Sequence, residues 1–252
     1  MKEVEELVQN FRPISLAEMD TVKLMNRVDT KFAFTREELN ALLPKLQEHY
    51  QILEVDGIRI PTYKSLYFDD DNFSFYKDHH NGKNSRYKVR FRKYVESDLM
   101  FLEVKHKFKG RVKKKRIKVD DFEAQLSKQS LNFVHKHVED LGAVEAKMWN
   151  VYRRITLVNL ELEERLTLDI NLQFNWKEEV KKFDDLVIAE IKQEKVNRNS
   201  PFFSVMKNMG IRPYRLSKYC IGTIELYSQK KIKYNRFKEK LLKLKKINNN
   251  VA

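Results

Sequence analysis

The 252-residue sequence predicts an α+β fold: a large antiparallel sheet, closed or nearly closed into a barrel, with helices packed on its outside. Three observations carry this. Segments with period-two alternation and many β-branched or aromatic residues outnumber the helical patterns. The chain is 42% hydrophobic with only 6 Gly and 5 Pro, enough for a packed core and too few breakers for a disordered chain. Finally, charge recurs on alternate positions of the strand segments, so one sheet face is apolar and the other cationic.

The strands are expected near 27–34, 51–56, 59–68, 72–77, 85–95, 99–108, 111–119, 149–158, 163–171 and 186–195, with a further one near 219–227. Helix signals are fewer. Thr35-Arg36-Glu37-Glu38 reads as a capping box ahead of Leu39, Leu42, Leu43 and Leu46, with Pro44 bending or ending the helix. A second helix is expected from Asp120 or Asp121 to Gly142, and a short third from the Ser200 cap through Pro201 to Gly210. No internal repeat is visible. The one cysteine, Cys220, has no partner for an internal disulfide and reads as a small buried apolar residue. The first ten residues lack a signal-peptide core, and no apolar run is long enough for a membrane span, so a cytoplasmic location is expected.

Net charge is +14, from 50 Lys plus Arg against 36 Asp plus Glu, and it is unevenly placed. Lys83 to Lys118 carries a local +12 and Lys230 to Lys246 a further +8, which leaves the remainder at −6. Basic zones of this kind meet polyanions. Within the first zone Lys88, Arg90 and Arg92 share one strand face, opposite Val89 and Phe91. Glu103, Lys105 and Lys107 do the same on the next strand, as do Arg27, Asp29 and Lys31, Tyr152 and Arg154, Arg165, Thr167 and Asp169, and Glu190 and Lys192. If the apolar face is covered by helices, the charged face points inward. Buried unpaired cations cost several kcal/mol each, against a total stability of roughly 5–15 kcal/mol. The interior is therefore expected to be wet and to hold an anion. Arg and Lys with a few carboxylates suit a phosphate chain and a divalent metal bridging its oxygens.

The ordered series Arg27-Val28-Asp29-Thr30-Lys31-Phe32, Tyr67-Phe68-Asp69, Tyr87-Lys88-Val89-Arg90-Phe91-Arg92, Phe101-Leu102-Glu103-Val104-Lys105, Tyr152-Arg153-Arg154, Arg165-Leu166-Thr167-Leu168-Asp169, Glu190-Ile191-Lys192 and Ser217-Lys218-Tyr219-Cys220 resembles the VTC domain. That is the catalytic domain of the vacuolar transporter chaperone polyphosphate polymerases, within the CYTH-like triphosphate tunnel metalloenzymes. The resemblance spans about residues 20–225. It implies a tunnel domain over 1–228 and leaves 229–252 as a basic tail, helical or frayed. It also implies that Lys31, Arg90, Arg92, Lys105, Arg154, Arg165 and Lys218 act on phosphate in catalysis. Lys88, Lys192 and Ser217 would bind substrate, with Glu103 orienting Lys105 or serving the metal. Glu190 would ligate Mn²⁺ or Mg²⁺. Arg153 should point outward as a register test. In the run Lys113-Lys114-Lys115-Arg116, alternation sends half inward, and Lys115 is taken as the lining residue.

The function so implied is transfer of the γ-phosphoryl of ATP to a polyphosphate chain. A tripolyphosphate or nucleoside triphosphate hydrolase is the first alternative. Such relatives carry Glu-x-Glu-x-Lys on the first strand, where this chain has Arg27-x-Asp29-x-Lys31, one carboxylate fewer. A non-catalytic polyphosphate binder is the second. Partners are then ATP and polyphosphate or other phosphate-chain anions, with no nucleic acid. The tail, with Phe237, Leu241, Leu242 and Leu244 among lysines, would pack on the domain or meet an anionic surface or membrane-protein partner. His79 and His80, beside Asn81-Gly82, read as exposed residues of a hairpin turn, and His135 and His137 sit on different helix faces. No glycine-rich phosphate loop, dinucleotide motif or nucleophilic triad is present.

Overall fold

A computed structural model describes residues 2–22, 27–109, 111–227 and 232–249. Its strands are β1 (Pro13–Ile14), β2 (Val28–Thr35), β3 (Gln51–Leu53), β4 (Thr62–Asp69), β5 (Ser85–Tyr94), β6 (Leu99–Phe108), β7 (Arg111–Lys118), β8 (Glu145–Asn159), β9 (Glu164–Trp176), β10 (Glu179–Phe183) and β11 (Leu186–Gln193). Its helices are α1 (Lys2–Leu7), α2 (Leu16–Met19), α3 (Arg36–Leu42), α4 (Ser74–Asn81), α5 (Lys128–His135), α6 (Pro201–Asn208), α7 (Lys218–Leu226) and α8 (Lys238–Asn249).

The strands form one eleven-stranded sheet whose main path runs β2-β11-β9-β8-β4-β5-β6-β7, with antiparallel neighbours throughout that path. The sheet curls strongly, and its end strands β2 and β7 do not pair in that order, so the barrel is open along one side. Charged groups from distant strands interact across it: Lys105 on β6 with Glu190 on β11, and Lys31 on β2 with Lys88 on β5. Those contacts place the charged face inside the curl.

The convex face carries the apolar alternates, as the pattern requires. Phe32, Phe34, Ile155, Leu157, Leu166, Leu168, Ile170, Val187, Ala189 and Ile191 are buried with Val4, Leu39, Leu42, Leu46, Phe202 and Met206, so α1, α3 and α6 cover it. On the other half of the sheet Val89, Phe91, Leu102 and Val104 belong to a cluster with Val134 of α5. The Thr35 capping box forms as expected, with Glu38 N donating to the Thr35 hydroxyl and Thr35 N to the Glu38 carboxylate. Pro44 falls in the short 3-10 turn Leu43–Leu46 that ends this helix. Ser200, Pro201 and Gly210 bound α6 as expected, with Gly210 at φ 70°, but the Ser200 hydroxyl makes no capping bond to the helix.

Three expectations are corrected. Residues 72–77 belong to helix α4, because the Asp69 and Asp70 carboxylates accept from the amides of Ser74, Phe75 and Tyr76 and cap its first turn against the strand preference of its aromatics. His79 and His80 thus lie on a helix and not in a hairpin turn. Residues 219–227 are helix α7, started by the Ser217 hydroxyl accepting from Cys220 N. The helix sought from 120 to 142 is only Lys128–His135, capped by Ser127.

α7 also departs from the outside position: it sits within the curl. A β-carbon at Gly222 would overlap the Phe174 ring and the Met148 sulfur, both on the charged face's side of β9 and β8. Ile232, Leu241 and Leu244 are buried in the same apolar cluster as Tyr219 and Ile221, so α8 packs against the fold. The boundary expected near residue 229 lies outside the described residues. At the other end Ile14, Met19 and Val22 pack on Val158, drawing β1 and α2 over the opposite mouth.

Candidate functional site

Between these two ends runs a band of cations, each set by strand register. On β5, Arg90 stands opposite Glu103 of β6 and Tyr67 of β4, and it bonds both: Nε and Nη2 to the Glu103 carboxylate at 2.9 and 2.6 Å, Nη1 to the Tyr67 hydroxyl at 2.9 Å. Arg92, two residues on, bonds the Tyr152 hydroxyl at 2.9 Å and the Ser65 hydroxyl at 3.3 Å. Glu103 is 1% exposed and also takes Lys114 at 3.2 Å. Its bonds therefore go to Arg90 and Lys114, not to Lys105 as expected.

Arg154 of β8 faces Asp169 of β9 and forms a two-pronged pair at 2.6 and 2.9 Å, while Lys218 from α7 bonds the same carboxylate. Lys31 and Lys192 bracket Glu190 at 3.0 and 2.7 Å. Lys88 donates to the Ser217 hydroxyl at 2.8 Å, tying β5 to the start of α7. Lys105, opposite Lys88, has no carboxylate at ion-pair distance among the described residues.

The pKa shifts describe an over-cationic interior. Burial alone would raise the carboxyls of Glu103, Asp169 and Glu190, yet Arg90, Arg154 and Lys192 with their neighbours hold all three below the ordinary range. Lys105 is pushed well below the usual lysine value, first by the Arg90 charge and then by burial. Burial likewise lowers Lys88 and Lys192, and brings Lys218 down to about 8 despite Asp169. Lys31 is raised by Glu190, so the lysine depressed chiefly by a neighbouring cation is Lys105, and there an anion would relieve the repulsion from Arg90.

Of the residues expected from sequence, Lys31, Lys88, Arg90, Arg92, Glu103, Lys105, Arg154, Glu190, Lys192, Ser217 and Lys218 converge on this band. Arg165 lies on the same face one step nearer α2, opposite Lys192, and its guanidinium bonds the Met19 carbonyl at 3.1 Å with Asp20 at 3.9 Å. Lys115 is a correction. Register places it opposite Val104, on the apolar face, whereas its neighbour Lys114 stands opposite Lys105 and reaches Glu103. Arg153 passes its test, pointing outward to Glu5 of α1 at 2.7 Å. Sequence reasoning gave no role to Tyr67, Tyr152 or Asp169, which hold the arginines in place. The signal for all three was their alternation with the apolar positions of their strands.

The curled antiparallel sheet, with paired arginines and lysines gathered on its inner face, is a tunnel-type fold. Residues 26–227 match the VTC domain, and the chain belongs to that family. Among solved structures, a Hippeastrum protein provisionally assigned as an adenylyl cyclase, and described with a dominant triphosphatase activity, shares the fold with a TM-score of 0.55. The two are 14% identical, over 80% of this chain and 97% of that one. A Bacillus halodurans protein provisionally assigned as an adenylate cyclase is 13% identical over 84% of this chain and 99% of its own, with a TM-score of 0.46. No curated protein matches the sequence. Among the described residues no helix is long and apolar enough to cross a membrane.

Proposed function

We propose that this protein is a metal-dependent polyphosphate polymerase that moves the γ-phosphoryl group of ATP onto the end of a phosphate chain held in the channel. The observation that carries the reading is the convergence of Arg90, Arg92, Lys105, Arg154, Lys31 and Lys218 on one lined interior with an uncompensated positive field. Phosphoryl transfer asks a protein chiefly for positioning and charge neutralisation. Arg90 and Arg154, each held by a carboxylate and an aromatic ring, are pre-set to grip phosphate oxygens. A terminal phosphate oxygen of the acceptor attacks the γ-phosphorus, the bond from that phosphorus to the β,γ-bridging oxygen breaks, and ADP leaves as the chain grows by one unit. No side-chain nucleophile is required.

Whether the residues suit a divalent metal is decided by their carboxylates. No group of three or more His, Cys, Asp or Glu side chains clusters among the described residues, so the chain builds no cage of its own. Mg²⁺ and Mn²⁺ sites of the other kind take one or two carboxylates and fill the remainder from phosphate and water. Glu190 fits that part: its side chain is 23% exposed, against 1% and 2% for Glu103 and Asp169. A metal there would neutralise charge on the transferring phosphates. Lys31 and Lys192 hold the Glu190 carboxylate ionised and aimed into the channel.

Purified protein incubated with ATP and Mn²⁺ or Mg²⁺ should yield ADP and long phosphate chains on a gel. Release of inorganic phosphate without chains would instead assign a hydrolase, and binding without turnover a phosphate-chain carrier. Glu190→Gln should abolish metal-stimulated turnover; retention of full activity with unchanged metal dependence would remove Glu190 from the metal role.

A further inference from the structure

Beyond the paired ring, toward α4, the channel wall changes character. Arg86 and Lys107 face each other across β5 and β6, and Lys88 faces Lys105 one step in. Like charges set directly opposite destabilise a sheet. None of Arg86, Lys88 or Lys107 has a carboxylate at ion-pair distance among the described residues, in contrast to Arg90, Arg154, Lys31, Lys192 and Lys218. The Arg86 Nε is buried with no hydrogen-bond partner. So is Nε2 of His79, which α4 sets in the field of Lys88, Arg86 and Lys107 and against the edge of the Tyr219 ring, 6.5 Å between centroids. Two buried nitrogens without hydrogen-bond partners thus lie among cations that have no carboxylate beside them, an arrangement that an anion would complete.

We propose that His79, Arg86 and Lys107 form a second anion subsite, distinct from the central ring, that takes the free terminal phosphate of a condensed phosphate chain. It rests on the reading of the channel as a phosphate-chain site and adds which part of the chain lies where. Arg86 and Lys107 donate to the charged oxygens. An internal phosphate of a chain has no hydroxyl to share, whereas a terminal phosphate ionises a second time near neutrality, about 6 for a phosphomonoester. The uncharged His79 ring accepts that terminal P–OH proton at Nε2. The subsite therefore reads chain ends.

The test is equilibrium binding in metal-chelating buffer, where no turnover occurs. Its three probes are ATP, a long linear polyphosphate with free ends, and the same chain with both ends capped as phosphoramidates. His79→Ala and Arg86→Gln should each weaken the free-ended chain about tenfold, the loss of one hydrogen bond to a charged group. His79→Ala should leave the capped chain unaffected, ATP, whose γ-phosphate is itself a terminal phosphate, should lose affinity along with the free-ended chain, and the unaltered protein should prefer free ends to capped ones. Equal losses for all three probes would make these residues part of a general field and overturn the subsite, as would no change for any probe. His79→Gln, which keeps a polar side chain of similar length, serves if the alanine variant fails to fold. If the unaltered protein binds neither ATP nor chains, the proposed function falls; if it binds both but the variants change nothing, only the end-reading subsite falls.

Discussion

Glu103 holds two cations from the floor of the channel and is itself almost fully buried. Replacing it with Gln leaves the Arg90 guanidinium, 6% exposed, without its countercharge. Breaking a buried pair from one side costs about 3–5 kcal/mol. A denaturant titration of Glu103→Gln should show a loss of that order, and a change within measurement scatter would mean that Tyr67 alone suffices for Arg90. Lys218 makes a prediction in pH. Its folded value of about 8 lies below the free value of 10.5, so between those two pH values the unfolded chain keeps a proton that the folded one has released. Stability from this group therefore rises with pH across that window, by about 3 kcal/mol in total. Relative to Lys218→Met, the unaltered protein should gain stability between pH 8 and pH 10.5. A phosphate chain reverses the effect by favouring the charged lysine, so triphosphate binding near pH 8.5 should take up protons, visible as a buffer-dependent heat in calorimetry. Identical heats in buffers of different ionisation enthalpy would contradict it.

Among the elements, α7 gives the sharpest mechanical test. Gly222 is where the helix backbone approaches Phe174 and Met148, and Gly222→Ala forces a methyl group into them. Overpacking of that kind costs about 1–3 kcal/mol, and a drop in melting temperature should report it. The same helix shows what the sequence could and could not say. Local signals were legible: the Thr35 capping box, the Ser200-Pro201 start and the alternation of β5, β6 and β9 all appear where residue spacing put them. α4 and α7 were not, because their aromatic and β-branched residues favour strands in isolation. Both helices depend on caps, Asp69 and Asp70 for one and Ser217 for the other, and on burial inside a sheet that no local window contains. Alternation likewise recovered the inward face of β5 but could not choose between Lys114 and Lys115, since a one-residue ambiguity in a run of lysines reverses the face. Only pairing with Val104 and Lys105 resolves it.

For the whole molecule, the surplus positive interior makes stability depend on ligand. Tripolyphosphate at a hundred times its dissociation constant should stabilise the fold by about 2.7 kcal/mol. Sodium chloride at matched ionic strength should not, because screening acts weakly on partly buried charges. A melting temperature that rises equally with both salts would argue against a specific channel site. The total charge of +14 is thus divided between an interior awaiting an anion and an exterior that includes Lys113 and Lys115 on the outward face of β7. Composition alone could not make that division, and strand register does.

The position of α7 inside the curl also orders events in time. Every strand of the sheet precedes it in the chain, and its neighbours on β4, β8 and β9 lie 40 or more residues upstream. Long-range closures of this kind are slow. Until that helix docks, the inner face of the sheet lacks the contacts that α7 makes with it. A polyanion present at that stage would act as a folding template, and refolding from denaturant should be faster with tripolyphosphate in the buffer than without it.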